Sequence, residues 1–515
     1  MRPYGLSTSD FPKGAPMLIA LGCVMIAVFM YLILSKRIVP VIALILVPIT
    51  MGLVATGTGI AEDVEGGVTG AIMKAVKDFA PTAALLFFAI IYFGLMIDVG
   101  LFDPLIRFIL RVVGNSPVKV VLGTALLAGA VSLDGDGSTT FIITVSALLP
   151  IYRRLGMSPV VLCVVANLAN GVLNIVPWGG PTIRAATVLN VSPSELFNPM
   201  VPGMIMGILT VFVLAYFLGR SEKKRLLKSG ATLETVAAEL RGGSGGGTGT
   251  AVLTGPGAGG GTGTTTGGDF PPVPPANLNL SSIARSELGV TDNDEHSDME
   301  DGLDPNRKTL RPKLIWFNLA LTVGLLVCLG LDKLPLALVF MVAAAVALVV
   351  NFPQQKDQAD RITAHATSIV SVVAMVFAAA VLVGVLSGTG MVTAMANGIV
   401  SAVPEPLGPY FAVITAILSM PLTFFLTNDA FYFGILPILS QAAGHYGISP
   451  VEMAQASIIG QPVHMTSPLV PAMLLLISLA RVQMADHHKK VIWRAVVCSM
   501  VMLATALVLG VIPVG

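Results

Sequence analysis

Charge is scarce in this sequence. Only 11% of its 515 residues are charged, against about a quarter in a soluble domain. That scarcity excludes a water-soluble fold. The formal net charge is +1, which gives no electrostatic hold on nucleic acid or any other polyanion. Cysteine is scarce as well. Cys23, Cys163, Cys328 and Cys498 each stand alone in an apolar run, with no CxxC pair and no Cys/His cluster. Neither a disulfide framework nor structural zinc is expected. A cleavable leader is not expected either, because "MRPYGLSTSDFPKGAP" is polar and the apolar run after it lacks a small-residue cleavage site.

Apolar runs are abundant. With 54% hydrophobic residues, the chain reads as an all-α, multi-pass integral membrane protein in a lipid bilayer. Full-length spans are expected near 17–35, 38–56, 81–100, 158–190 and 199–219, and again near 313–331, 335–351, 365–390, 451–480 and 489–513. Between the third and fourth span of each set lies a further apolar block, 116–151 and 406–440. Each is too long for one span and is interrupted, by "LDGDGST" and by "LTNDA". Such a block reads as a re-entrant hairpin, since non-helical backbone at that depth survives only beside protein or a water-filled cavity. Amphipathic stretches at 59–79 and 101–114 read as helices in the interface plane.

The basic segments "SKR", "YRRLG", "GRSEKKRLLK", "NRKTLRPK" and "RVQMADHHKK" can all be placed in the cytoplasm. The expected topology then has both termini outside and two inverted repeats of five spans, each with one hairpin and one discontinuous helix. Residues 1–219 form the first repeat and 313–515 the second. Residues 220–312, rich in glycine and proline, form a cytoplasmic linker without a core of its own. Inverted repeats of this kind are typical of secondary transporters, with the site where the interruptions meet.

The discontinuous helices are "ANLANGVLNIVPWGGPTIRAA" (166–186) and "ASIIGQPVHMTSPLVPAML" (456–474). Aligning Pro181 with Pro468 sets Asn174 opposite Gln461. Candidate substrate ligands are Gly137, Ser138, Thr139, Asn174, Gly179, Gly180, Thr182, Arg184, Thr427, Asn428, Gln461, Thr466 and Ser467. Free amides at a helix N-terminus favour an anion, and the Arg184 guanidinium can hold a carboxylate or pair with a buried aspartate. Asp134, Asp136, Asp429 and His464 are the candidate proton- or metal-coupling groups, with Asp136 and Asp429 reaching a cation borne by the substrate. Asp136 and Asp429 are equally placed to cap the helices that leave each tip. Asp134 and Asp136 stand two apart, so mutual repulsion favours a proton on one of them. Trp178 reads as packing, and His365 draws no role.

The strings "LDGDGSTTFIITVSALLPIYRRLGM", "ANLANGVLNIVPWGGPTIRAAT", "MPLTFFLTNDAFYFGILP" and "GQPVHMTSPLVPA" resemble the citrate–metal:proton symporters, the CitMHS family of the ion transporter superfamily. The resemblance runs from about Met17 to the C-terminus, the glycine-rich insertion excepted. It implies uptake across a bacterial inner membrane of citrate complexed with a divalent cation, Mg or Ca or similar, coupled to protons. No tightly bound cofactor is implied. It further implies a homodimer and an elevator, in which a domain holding both hairpins moves against a fixed scaffold. Related divalent-anion carriers have a Ser-Asn-Thr motif at each tip, where this chain has "DGDGST" and "LTNDA". A carrier of another di- or tricarboxylate or oxyanion is the alternative. An intramembrane aspartyl protease is remote, because Leu133 stands where its GxGD pattern needs glycine.

Overall fold

The computed structural model describes residues 15–35, 37–60, 67–113, 116–228, 307–331 and 333–514. The polar start and most of the central linker lie outside the described residues. The first part of the chain forms α1 (Ala15–Leu34), α2 (Pro40–Gly57), α3 (Gly67–Asp98), α4 (Asp103–Val113), α5 (Pro117–Val131), α6 (Gly137–Arg154), α7 (Pro159–Leu173), α8 (Gly180–Leu189), α9 (Pro193–Phe197) and α10 (Val201–Lys228). The second forms α11 (Ile315–Leu331), α12 (Leu336–Asn351), α13 (Gln355–Ala364), α14 (Ala366–Gly388), α15 (Met391–Ala402) and α16 (Phe411–Phe425). A π turn, Ala430–Ile435, then runs into α17 (Leu436–Gly444), followed by α18 (Pro450–Ile458), α19 (Gln461–His464), α20 (Pro471–Ala480) and α21 (Met484–Val508). Among the described residues, nine helices are long and apolar enough to cross a membrane. Prolines open α2, α5, α7 and α18, where the missing N–H costs nothing.

Backbone features recur at one fixed interval along the chain. Gly156 and Gly447 turn the chain with φ of 64° and 79°. Ser158 and Ser449 then precede α7 and α18. Asn190 and Arg481, the two non-glycine residues with positive φ among those described, end α8 and α20. By that interval Gln461 falls opposite Asn170, and Asn174 opposite Met465. The Pro181–Pro468 alignment is therefore shifted, because α8 re-forms at Gly180 and α20 only at Pro471.

Two helix groups face each other. In one, α3 and α14 form the most extensive pair, flanked by α2 and α12. Their backbones approach closely: an ideal Cβ on Gly384 would lie 2.7 Å from the Cα of Ile72. Small residues serve helix packing in lipid in this way. That contact explains one departure from expectation. Residues 67–79 do not form a separate interface helix; they are the first turns of α3, with Ala75 and Phe79 buried. In the other group, α7 packs on α5, α6, α10 and α21, and α20 packs on α6. Glu222 of α10 accepts from the Ser158 amide at 3.0 Å, capping α7. Beyond residue 219, α10 continues to Lys228, and at the start of the second part Arg307 Nε donates to the Asp98 carbonyl at 2.9 Å.

Candidate functional site

Each interrupted block turns at its polar residues. In the first, α5 tightens into a single turn, Ser132–Asp134, and Gly135 reverses the chain at φ 81°. Asp136 then caps α6, accepting from the Ser138 amide at 3.2 Å, the Thr139 amide at 3.0 Å and the Thr139 hydroxyl at 2.8 Å. The Asp136 amide donates to Asp134 Oδ1 at 2.9 Å. The amides expected to receive an anion at this tip are therefore engaged by the tip's own carboxylates.

The second tip is built differently. Thr427 occupies the place of Asp136, and its hydroxyl accepts from the Ala430 amide at 3.2 Å. Asp429 makes no capping bond. Its Oδ1 instead accepts from Arg184 Nε at 2.7 Å. Of the two roles open to Arg184, pairing with an aspartate is observed, and that aspartate is partly buried; Nη1 and Nη2 have no partner among the described residues.

A cavity of about 630 Å³ lies between the two helix groups. One wall is α3, from Leu86 to Asp98, with the start of α14, from His365 to Val372. The other is the first hairpin tip together with Trp178, Gly180 and Arg184. Trp178 donates from Nε1 to the Leu133 carbonyl at 2.8 Å and stacks on Phe93 with centroids 5.3 Å apart. It thereby joins the tip to α3. Gly179 has no room for a side chain, since a Cβ would overlap the Asn174 carbonyl. Gly180 lets the guanidinium fold over the start of α8, where a Cβ would lie 2.7 Å from Arg184 Nη1.

Of the residues singled out in the sequence, Asp134, Asp136, Ser138, Thr139, Gly180 and Arg184 line this cavity. Asp429 reaches its edge through the pair with Arg184, and the others stand behind it. Gly137 fits between Ala472 and Asn170, where a Cβ would meet Ala472 Cβ at 3.1 Å and Asn170 Oδ1 at 3.2 Å. Thr182 donates to the Ile175 carbonyl at 2.7 Å, and Asn174 reaches Met465 Sδ at 3.7 Å. Gln461 donates to the Tyr432 hydroxyl at 2.8 Å and to Asn428 Oδ1 at 3.3 Å. His464 Nδ1 is 2.7 Å from the Thr423 carbonyl, Ser467 donates to the Phe424 carbonyl at 2.5 Å, and Thr466 donates to the Val463 carbonyl at 2.7 Å. These bonds shape the second tip without reaching the cavity.

Other residues at the site were given no role in the sequence. Asp98 and His365 line the cavity and meet at 3.2 Å. Asn167 and Asn170 are fully buried. Asn167 Nδ2 donates to the Met465 carbonyl at 3.0 Å and Asn170 Nδ2 to the Ser132 hydroxyl at 3.1 Å, while both Oδ1 atoms lack a partner. Their three-residue spacing within "ANLANG" puts both on one helix face, a signal present in the sequence.

The charges do not balance. Arg184 is paired with Asp429, and Asp98 with Arg361 and His365. Asp134 and Asp136 have no cationic partner within salt-bridge distance among the described residues, yet they line a cavity that also holds a guanidinium and the start of α8. Among the described residues no three His, Cys, Asp or Glu side chains gather into a metal site.

The family model for citrate transporters, CitMHS, matches residues 29–460. The chain belongs to the CitMHS family. It is accordingly a membrane carrier and not an enzyme. A relative in Bacillus subtilis (strain 168), "Citrate transporter", is 45% identical over 498 residues, 96% of this chain and all of that protein. A second from the same organism, "Mg(2+)/citrate complex secondary transporter", is 41% identical over 499 residues, 97% of this chain and all of that protein. Among solved structures, MtrF of Neisseria gonorrhoeae aligns over 98% of this chain and 95% of that one, at 13% identity and a TM-score of 0.49.

Proposed function

We propose that this CitMHS protein is a secondary carrier that takes up citrate as a complex with a divalent cation, Mg2+ or Ca2+ or similar, together with protons. One observation carries the reading: Asp134 and Asp136, two carboxylates without cationic partners among the described residues, line the same cavity as Arg184. A bare tricarboxylate would meet net repulsion there, whereas the metal complex brings its own countercharge. The Mg2+/citrate assignment of the 41% identical relative points the same way.

In this reading Arg184 Nη1 and Nη2, the Gly180 amide and the Ser138 hydroxyl hold substrate carboxylates. Asp136 and the free Oδ2 of Asp429 face the cation, and Asp134 and Asp136 share the coupling charge. Residues 1–219 and 313–515 are inverted repeats joined by the cytoplasmic linker 220–312, with both termini outside a bacterial inner membrane. The recurrence of Gly156, Ser158 and Asn190 as Gly447, Ser449 and Arg481 supports that division. The protein works as a homodimer, with the group that contains α5–α7 and α16–α20 moving against α3 and α14.

The test is labelled-citrate uptake into proteoliposomes, with Mg2+ and the pH gradient varied independently. Uptake is expected to require both. Uptake indifferent to added divalent cation would overturn the metal-complex reading.

A further inference from the structure

One wall of the cavity carries chemistry that no motif above uses. At the junction of α13 and α14, the His365 ring lies flat on α3, where a Cβ on Gly94 would come within 2.5 Å of its Cε1. Its Nε2 is 3.2 Å from Asp98 Oδ2, and Arg361 Nη1 is 3.4 Å from the same oxygen. Asp98 is only 5% exposed, and its carbonyl is held by Arg307 Nε at 2.9 Å and the Thr309 hydroxyl at 3.0 Å. Asp98 and His365 both line the cavity, beside the hydroxyl-bearing Thr367, Ser368 and Ser371. Three elements thus fix one imidazole at the cavity surface.

The charge of this wall depends on one proton. The guanidinium of Arg361 is always charged and balances the Asp98 carboxylate. An imidazole ordinarily gains or loses its charge between pH 5 and 8. With His365 neutral the cluster is neutral, and with His365 protonated it carries one positive charge. On α13, ahead of Arg361, stand Lys356, Asp357 and Asp360. Behind Asp98 stands Arg307, which also holds the Asp103 carboxylate at 3.1 Å. Across the cavity stand Asp134, Asp136 and Arg184. Against α3 and α14, the facing helices α2, α12 and α15 contain no ionisable side chain and the π turn carries Tyr432; on α3 itself Tyr92 meets the Thr322 hydroxyl at 2.8 Å, while Lys74, Lys77 and Asp78 lie toward the opposite end.

We propose that His365, clamped between Asp98 and Gly94, is a proton-binding site on the cavity wall facing the first hairpin tip, and that its proton tightens the hold on the anionic substrate. The inference rests on the cavity being the metal–citrate site. Protonation adds a positive charge where the anion sits, so acid favours retention. Loss of the proton returns the wall to neutrality and favours release.

The experiment is calorimetric titration of the full-length protein in detergent with magnesium citrate between pH 6 and 8. Wild-type affinity is expected to rise toward pH 6, by at most about tenfold per pH unit for a single linked proton. His365→Gln keeps a hydrogen-bonding side chain and should lose several-fold of that gain. Asp98→Asn leaves Arg361 uncompensated and should bind at pH 8 about as tightly as the wild type binds at pH 6. A purely structural role would weaken both variants at every pH with the slope unchanged, and that result overturns the proposal. Binding whose pH slope survives in His365→Gln overturns it too, while leaving the substrate reading standing. No binding by the wild type at any pH overturns the substrate reading, and this inference with it.

Discussion

Arg184 Nε donates to Asp429 Oδ1 at 2.7 Å across 245 positions of sequence. The pair ties the discontinuous helix of the first half to the hairpin tip of the second. It is 26% and 15% exposed on its two sides, sheltered enough that the partners depend on each other. Arg184→Ala should abolish citrate uptake and lower stability by about 3 kcal/mol, the lower end for breaking a buried pair. Asp429→Asn keeps the shape and should retain most of the stability, while weakening dependence on added Mg2+. Thermal unfolding in detergent and metal-titrated uptake check the two together.

Asp136 separates capping from charge. Its carboxylate accepts from the amides of Ser138 and Thr139. Asparagine caps about as well as aspartate, whereas alanine costs about 1 kcal/mol. Asp136→Ala should therefore lower stability by about that amount, and Asp136→Asn should not. If Asp136 is only a cap, Asp136→Asn will transport with unchanged metal and pH dependence. The proposed role requires a shift in one of them.

Glycines at the break offer a paired comparison. A Cβ at Gly179 would strike the Asn174 carbonyl, whereas one at Gly324 in α11 meets nothing within 4 Å. Gly179→Ala should reshape the turn that presents Gly180 and lose most uptake. Gly324→Ala should leave uptake intact and be neutral or stabilising by up to about 1 kcal/mol. Uptake rates normalised to protein recovered in the membrane decide it.

The seam between α3 and α14 forms the wall that holds His365. Gly384→Val would force the two backbones apart at Ile72 and cost about 1–3 kcal/mol. Unfolding temperature should fall, and citrate affinity should fall with it if the wall shapes the cavity. An unfolding temperature equal to that of the wild type would contradict the packing described here.

The interrupted blocks were legible because glycine and aspartate are costly inside hydrocarbon unless the helix breaks beside protein or a cavity. "LDGDGST" and "LTNDA" do mark the turns, at Gly135 and at Leu426–Thr427. The division of labour between the aspartates was not legible. Asp136 and Asp429 look alike beside their helices, but only the fold brings Arg184 to one of them. Residues 59–79 resemble an interface helix because Lys74, Lys77 and Asp78 interrupt the apolar pattern. What absorbs residues 67–79 into α3 is the small-residue seam with Gly384 and Gly388, which a single segment cannot reveal. The Asp98–His365 contact spans 267 positions, and nothing local to "DVG" or "AHAT" announces it. The Pro181–Pro468 alignment does not match the helix starts, since α8 begins at Gly180 and α20 only at Pro471.

The central claim is that citrate enters the cavity with its cation. Proteoliposomes loaded at neutral pH, given an inward proton gradient and supplied with 14C-citrate and a radioactive divalent cation, would report both species in one sample. The account predicts accumulation of metal and citrate in equal amounts, rising together with the gradient and both lost in Arg184→Ala. Citrate accumulation without the metal would contradict it.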